Sequence, residues 1–254
     1  MLLKDKVAII TGAAGGIGAA FAVGYAEEGA KLVIADILDG SNTVDDVVKA
    51  GSEAIFVKTD VTQQDQCDAM VRAAIDRYGT VDILVNNAAM YANIIKKPFE
   101  EITTEEWNRL MEVNATGPFH CTKSVFPVMR AKGGKIINVA SSVAFEGAAG
   151  MPHYVASKGA VVAFTRAMAR ELGAYNININ SLAPGYTQSE ASITIQKHRR
   201  DDGPDPEQLM LQKRCLKRSE DPEDLVGTAI FLASAMSDFI TGQLILCDGG
   251  SFFH

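Results

Sequence analysis

Seven short apolar runs recur along this chain, at Val7–Thr11, Leu32–Asp36, Ala54–Thr59, Ile83–Asn86, Ile136–Ala140, Ile177–Leu182 and Gln243–Cys247. Helical stretches fall between them, such as Gln64–Tyr78, Thr104–Asn114 and Asp221–Ala233. Runs that are apolar throughout, rather than alternating, belong to strands buried on both faces. Strand–helix alternation then predicts an α/β fold, with a doubly wound, seven-stranded parallel sheet covered by helices on each side. A length of 254 residues fits one such domain spanning 1–254. Within it, Asp221-Pro-Glu predicts a helix start, with Asp221 as N-cap and Pro222 at the first helical position.

The first run leads into Thr11-Gly-Ala-Ala-Gly-Gly-Ile-Gly18, and an Ala-rich stretch follows as far as Glu27-Glu28-Gly29. Strand, glycine turn and helix form the setting of a dinucleotide fingerprint on a Rossmann-type sheet. Gly12 permits the tight turn, Gly16 lets backbone approach a pyrophosphate, and Gly18 lets helix pack on strand. The helix N-terminus offers its N–H groups to phosphate. The second run ends in Asp36, where a ribose hydroxyl requires an acid.

A second motif lies in His153-Tyr-Val-Ala-Ser-Lys-Gly159. On a helix, Tyr154 and Lys158 share a face. A free phenol has a pKa of about 10, and a fixed positive charge beside it favours phenolate. The pair reads as a general acid/base, and Ser141, thirteen residues before Tyr154, as a hydroxyl that holds a substrate oxygen. Ser142 is adjacent and competes for that role.

Together these motifs resemble those of the short-chain dehydrogenase/reductase family, and the resemblance spans the whole chain. Asp60-Val61 is similar to the family's adenine-side pair. Asn86-Asn-Ala-Ala89 is similar to its Asn-Asn-Ala-Gly strand end, with Ala89 in place of glycine. Asn114 falls where the family orders a proton-relay water, and Pro184-Gly185 matches the motif beside the nicotinamide. Thr187 and Ser189 fall where members hold the carboxamide and phosphate side, serine being less usual there. The resemblance therefore implies catalytic Asn114, Ser141, Tyr154 and Lys158. It implies cofactor contacts from Gly12, Gly16, Ile17, Gly18, Asp36, Ile37, Asp60 and Val61 at one end. At the other it implies Asn87, Ala88, Ala89, Tyr154, Lys158, Pro184, Gly185 and Thr187. The usual serine–tyrosine spacing in the family favours Ser141 over Ser142.

Bulk properties exclude other classes. Net charge −7 and pI near 5.2 argue against nucleic-acid binding. Cysteines 67, 121, 215 and 247 form no close pair in sequence, which suggests reduced thiols in a cytoplasm. Val7 to Ala26 carries no charge, yet it houses the fingerprint, so neither a signal peptide nor a membrane span is expected. The four histidines show no metal spacing, so no metal is expected.

The stretch from about 186 to 219 has no strand pattern, and the resemblance implies a substrate lid. Its Lys197-His-Arg-Arg200 cluster is followed by Asp201-Asp-Gly-Pro-Asp-Pro206 and reads as a solvated charge run. Tyr91, Phe145, Met151 and Tyr186 adjoin motifs and are expected as pocket walls. His153 and Trp107 read as packing residues. Phe252-Phe253-His254 suggests burial against a neighbouring subunit, in a family that is commonly tetrameric.

The expected function is an NAD-dependent oxidoreductase that interconverts a secondary alcohol and a ketone, as a homotetramer or homodimer acting on a small molecule. One rival is an oxoacyl reductase using the phosphorylated cofactor, which needs a basic residue near the adenosine ribose; Ala13-Ala14 and Asp36-Ile37 supply none. Another is an NAD-sensing binding protein, which would be expected to lose a catalytic group; none is missing. Epimerases and dehydratases share Tyr-x-x-x-Lys but carry a longer C-terminal substrate domain.

Overall fold

Each apolar run becomes a strand in the computed structural model, which describes residues 1–197 and 206–253. The strands are β1 (Val7–Thr11), β2 (Lys31–Asp36), β3 (Ala54–Lys58), β4 (Ile83–Asn86), β5 (Gly134–Val139), β6 (Ile177–Pro184) and β7 (Leu244–Cys247). They form one parallel sheet in the order β3-β2-β1-β4-β5-β6-β7. The doubly wound reading holds, with strand ends displaced by at most two residues from the sequence expectation.

The helices are α1 (Gly16–Glu27), α2 (Ser41–Lys49), α3 (Gln64–Tyr78), α4 (Thr104–Met111) and α5 (Gly117–Met129). They continue with α6 (Val143–Glu146), α7 (Pro152–Leu172), α8 (Glu190–Lys197), α9 (Pro206–Lys213) and α10 (Glu223–Ala233). Alternate strand residues feed two cores. Ile10, Ile34 and Val85 meet Phe21 and Tyr25 of α1 and Leu232 of α10 on one face. Ile9, Val33 and Leu84 meet Met70 of α3, Val125 of α5 and Leu172 of α7 on the other. Each fully buried apolar side chain contributes about 1.5–3 kcal/mol, against about 1 kcal/mol for a helix cap. The two layers therefore hold the sheet, and caps only set where helices begin.

Three local expectations need correction. The helix expected over Thr104–Asn114 starts on a capping box between Thr103 and Glu106, but α-helix ends at Met111. A π-helical turn, Glu112–Thr116, links it to α5. Such turns cluster at functional sites, and this one carries Asn114. At α10, Pro222 takes the cap position and Asp221 caps with no side chain. The Asp224 carboxylate of the first turn instead accepts from the Asp221 backbone N–H at 3.0 Å and pairs with Arg218 at 2.5 Å. The 186–219 stretch contains α8 and α9 rather than irregular chain. The acidic half and most of the basic half of its charge run lie outside the described residues.

Sheet order sets the location of a site. The chain leaves β1 toward β2 on one side and toward β4 on the other, so loops beyond their carboxyl ends diverge and open a crevice. The crevice floor is stitched together. Thr11 Oγ1 accepts from the N–H groups of Asn87 and Ala88, at 3.1 Å each. Asn87 Nδ2 donates to the carbonyls of Thr11 and Gly12, at 3.0 and 2.7 Å.

Candidate active site

The crevice is a cavity of about 1010 Å³ that runs from the glycine turn to the N-terminal part of α7. Gly12, Gly16 and Ile17 line one end, with Asp36, Ile37, Asp60 and Val61. Asn87, Ala88 and Ala89 line the middle. Ser141, Tyr154 and Lys158 line the far end, with Pro184, Gly185 and Thr187. Sixteen of the eighteen expected residues thus border one space; Gly18 and Asn114 do not.

The glycine end fits a dinucleotide. Gly12 has φ +64°, and a Cβ there would fall 2.6 Å from the Ala88 Cα, so backbone conformation and space both demand glycine. No side chain caps α1, which leaves its first N–H groups for an anion. Gly18 acts from beneath: a Cβ would lie 2.3 Å from the Gly12 carbonyl oxygen. The Asp36 carboxylate accepts from the Ala14 and Leu38 N–H groups, both at 2.9 Å. Each oxygen keeps a further lone pair for a ribose hydroxyl. No lysine or arginine occupies positions 13, 14 or 37. Lys58 is opposite Asp36 in the strand register but does not line the cavity.

At the far end, Ser141 and Tyr154 line the same wall, while the Ser142 N–H donates to the Pro184 carbonyl at 2.9 Å. Burial pushes the Tyr154 phenol well above its usual value; Tyr91 adds to the rise and Ser141 opposes it. Burial lowers Lys158 to about 8. Its ammonium donates to the Val139 carbonyl at 2.8 Å and stands 5.9 Å from the Tyr154 ring centre. The expected depression of the phenol by Lys158 is therefore not what dominates this arrangement. Desolvation outweighs attraction for both groups.

Asn114 stands behind this wall. Its Oδ1 accepts from Met90 N–H at 2.7 Å, and its Nδ2 donates to the Met90 carbonyl at 3.3 Å and to Ser157 Oγ at 3.1 Å. It ties the end of the β4 loop to α7 and does not face the cavity. Tyr91, Met151 and Tyr186 are walls as expected. Phe145 is not: it stacks on Phe252, with ring centres 5.7 Å apart. That contact buries one of the two C-terminal aromatics within the chain, while Phe253 stays 75% exposed. His153 is buried and Trp107 half-exposed.

Sequence reading missed three groups of cavity residues. Glu190 of α8 leans over the glycine turn, with Oε2 3.5 Å from where a Gly15 Cβ would stand. Glu146 and Lys213 face each other at 3.7 Å on the cavity wall. Ser192 also lines the cavity, its hydroxyl donating to the Thr187 carbonyl at 2.7 Å. None belongs to a motif, so only tertiary structure could have revealed them. Among the described residues, no cluster could hold a metal ion and no helix is long and apolar enough to cross a membrane.

Comparison with known proteins agrees with this arrangement. The family model described as Enoyl-(Acyl carrier protein) reductase matches residues 12–251. Galactitol 2-dehydrogenase of Agrobacterium fabrum is 41% identical over 258 residues, covering 99% of each chain. A 3-oxoacyl-acyl-carrier-protein reductase of Thermotoga maritima is 35% identical, covering 98% of this chain and 99% of its own. The crystal structure of levodione reductase superposes with a TM-score of 0.92 at 30% identity, covering 98% of each chain. The chain belongs to the short-chain dehydrogenase/reductase family. It is an oxidoreductase of the alcohol–ketone type that uses a nicotinamide cofactor.

Proposed function

We propose that the chain is an NAD-dependent dehydrogenase that oxidises a secondary alcohol of a small polyhydroxylated molecule. One observation carries this reading: Ser141, Tyr154 and Lys158 border the same cavity as the Asp36 carboxylate. The glycine turn and α1 would hold the pyrophosphate, and Asp36 the adenosine ribose. When bound, the nicotinamide supplies the hydride acceptor.

Tyr154, as phenolate, takes the hydroxyl proton, and Ser141 holds the same oxygen by donating to it. Lys158 supplies the positive charge that phenolate requires. Asn114 keeps Met90 and Ser157 in register, and so keeps the proton path behind Tyr154 in shape. The described parts of the expected lid, α8 and α9, border the cavity and would cover the substrate. Glu146, Lys213 and Ser192 offer the wall both donors and acceptors, which suits a chain of hydroxyls. Galactitol 2-dehydrogenase, by its name, acts on such a compound.

The oxoacyl reductase reading stays second, because no cation awaits a 2′-phosphate at positions 13, 14 or 37. A cytoplasmic homotetramer or homodimer completes the proposal; the exposed Phe253 favours assembly. The test is a screen of secondary alcohols, polyols included, with NAD and with NADP, read by the absorbance of reduced nicotinamide. Turnover of polyols with NAD is expected. Activity confined to NADP and acyl ketones would replace this reading with the second one.

A further inference from the structure

Behind Gly185 and Thr187 of the cavity wall lies a buried ion pair. Arg214 and Glu220 are 2% and 4% exposed, and Arg214 Nη2 stands 3.2 Å from Glu220 Oε2. The guanidinium also donates to the carbonyls of Tyr186 and Arg218, at 3.2 and 2.9 Å, and to Ser251 Oγ at 3.4 Å. It thus ties the end of the lid to the C-terminal turn. The other carboxylate oxygen, Oε1, serves a different purpose. It accepts from the Gly185 N–H at 3.1 Å and from the Thr187 hydroxyl at 2.7 Å.

That second bond has a direction. A carboxylate only accepts, and a threonine hydroxyl has one proton to give. With its proton committed to Glu220, the Thr187 hydroxyl has only lone pairs left to offer a ligand. Thr187 lines the same cavity as Ser141, Tyr154 and Lys158, so it borders the space where a ring reacting beside Tyr154 would lie. A nicotinamide carries a carboxamide with two N–H donors and one carbonyl acceptor.

We propose that Glu220, held by Arg214, is a positioning residue that makes Thr187 Oγ1 an obligate acceptor, so that it recognises the N–H side of the cofactor's carboxamide. This rests on the nicotinamide reading above. It adds to that reading a selection between the two ends of the carboxamide, set by a pair that touches no cofactor atom itself. The alternative is a staple that joins lid and C-terminus and has no effect on recognition.

Binding of NAD to the apoprotein is compared by calorimetry with binding of its 3-acetylpyridine analogue, in which methyl replaces the amide nitrogen. Wild type should bind NAD about fivefold more tightly, the worth of one neutral hydrogen bond. Thr187→Val should bring the two within about twofold of each other. Glu220→Met with Arg214→Met, which replaces the pair by apolar groups of similar volume, should do the same, because the hydroxyl is then free to turn. Glu220→Gln with Arg214→Met should restore the fivefold preference, since the amide oxygen still accepts from Thr187. If the double Met variant does not melt cooperatively, the swap Glu220→Arg with Arg214→Glu is read instead. It presents a donor to Thr187 and should also abolish the preference. Equal binding by wild type, or a preference that survives the Met pair or the swap, would overturn the proposal. If the apoprotein takes NADP rather than NAD, the Asp36 reading fails, and the phosphorylated pair of cofactors runs the same comparison on Thr187.

Discussion

Lys158→Met should stabilise the empty enzyme while destroying its activity. The wild-type ammonium is 3% exposed, and burial lowers its pKa from 10.5 to about 8. A shift of that size corresponds to about 3 kcal/mol of penalty at neutral pH. Methionine keeps the apolar stem and removes the charge. The Val139 carbonyl loses its donor, which costs about 1–2 kcal/mol. The net expectation is a gain of about 1–2 kcal/mol, or roughly 2–8 °C in melting temperature for a chain of this size. The gain also has a pH signature. Unfolded lysine holds its proton up to 10.5, the folded residue only to about 8. Between those values the unfolded state binds more protons, so wild-type stability rises with pH there. The variant lacks this rise, so its advantage should shrink by about 2 kcal/mol between pH ~7 and ~9.5. Urea melts of both apoproteins at the two pH values measure it. A variant less stable at neutral pH, with a gap that does not change with pH, would refute the assignment of a desolvated lysine.

Tyr154→Phe should keep dinucleotide affinity and lower turnover by at least ~10²-fold; near-normal turnover in the purified variant removes Tyr154 from the chemistry. Because burial raises the phenol, alcohol oxidation by the wild type should accelerate from pH ~7 to ~10 and ketone reduction should not; a flat oxidation profile speaks against a phenolate base. Wild type should prefer NAD over NADP by at least ~100-fold in kcat/KM, since Asp36 attracts a ribose hydroxyl and repels a phosphate. Asp36→Ala should narrow that ratio and Ile37→Arg should narrow it further; equal use of both cofactors by the wild type would show that Asp36 does not face the ribose. Gly18→Ala should abolish cofactor binding, and with it much of the stability, because its Cβ meets the Gly12 carbonyl oxygen at 2.3 Å; a normally folded variant with intact cofactor affinity, shown by circular dichroism and calorimetry, would contradict this geometry.

What could be read in advance divides by range of interaction. The seven strands were legible because burial on both faces leaves a continuous apolar run, and the glycine turn because its demands are local to Thr11–Gly18. Tyr154 and Lys158 were legible as a pair because helical spacing fixes their common face. The environment of that pair was not. Lys158 bonds to Val139, nineteen positions away in sequence, and no local pattern announces a desolvated lysine. The π-helical turn at Glu112–Thr116 was hidden because its residues continue a helical pattern. Nothing local to Arg214 and Glu220 signals their burial, since their partners Gly185, Tyr186, Thr187 and Ser251 come from separate parts of the chain. Phe145 shows the same limit: adjacency to Ser141 places it near the cavity, but the turn of α6 aims it at Phe252.

The energetics of Tyr154 and Lys158 in the apoprotein explain why the chemistry should wait for the cofactor. Tyr154 and Lys158 are both driven toward neutrality by burial, so the proton acceptor is absent until something offsets desolvation. Phenolate formation needs positive charge close by, and Lys158 alone, directed to Val139, does not outweigh burial. An oxidised nicotinamide is cationic, and one held beside Tyr154 would add the missing field. The same step would give Lys158 an oxygen-rich neighbour, the ribose, in exchange for a single carbonyl. Charge that is costly in the empty enzyme then becomes stabilised on both groups together. On the proposed mechanism the base would be switched on only where a hydride acceptor is already in place, and the desolvation penalty on Lys158 is the stability that Lys158→Met should recover.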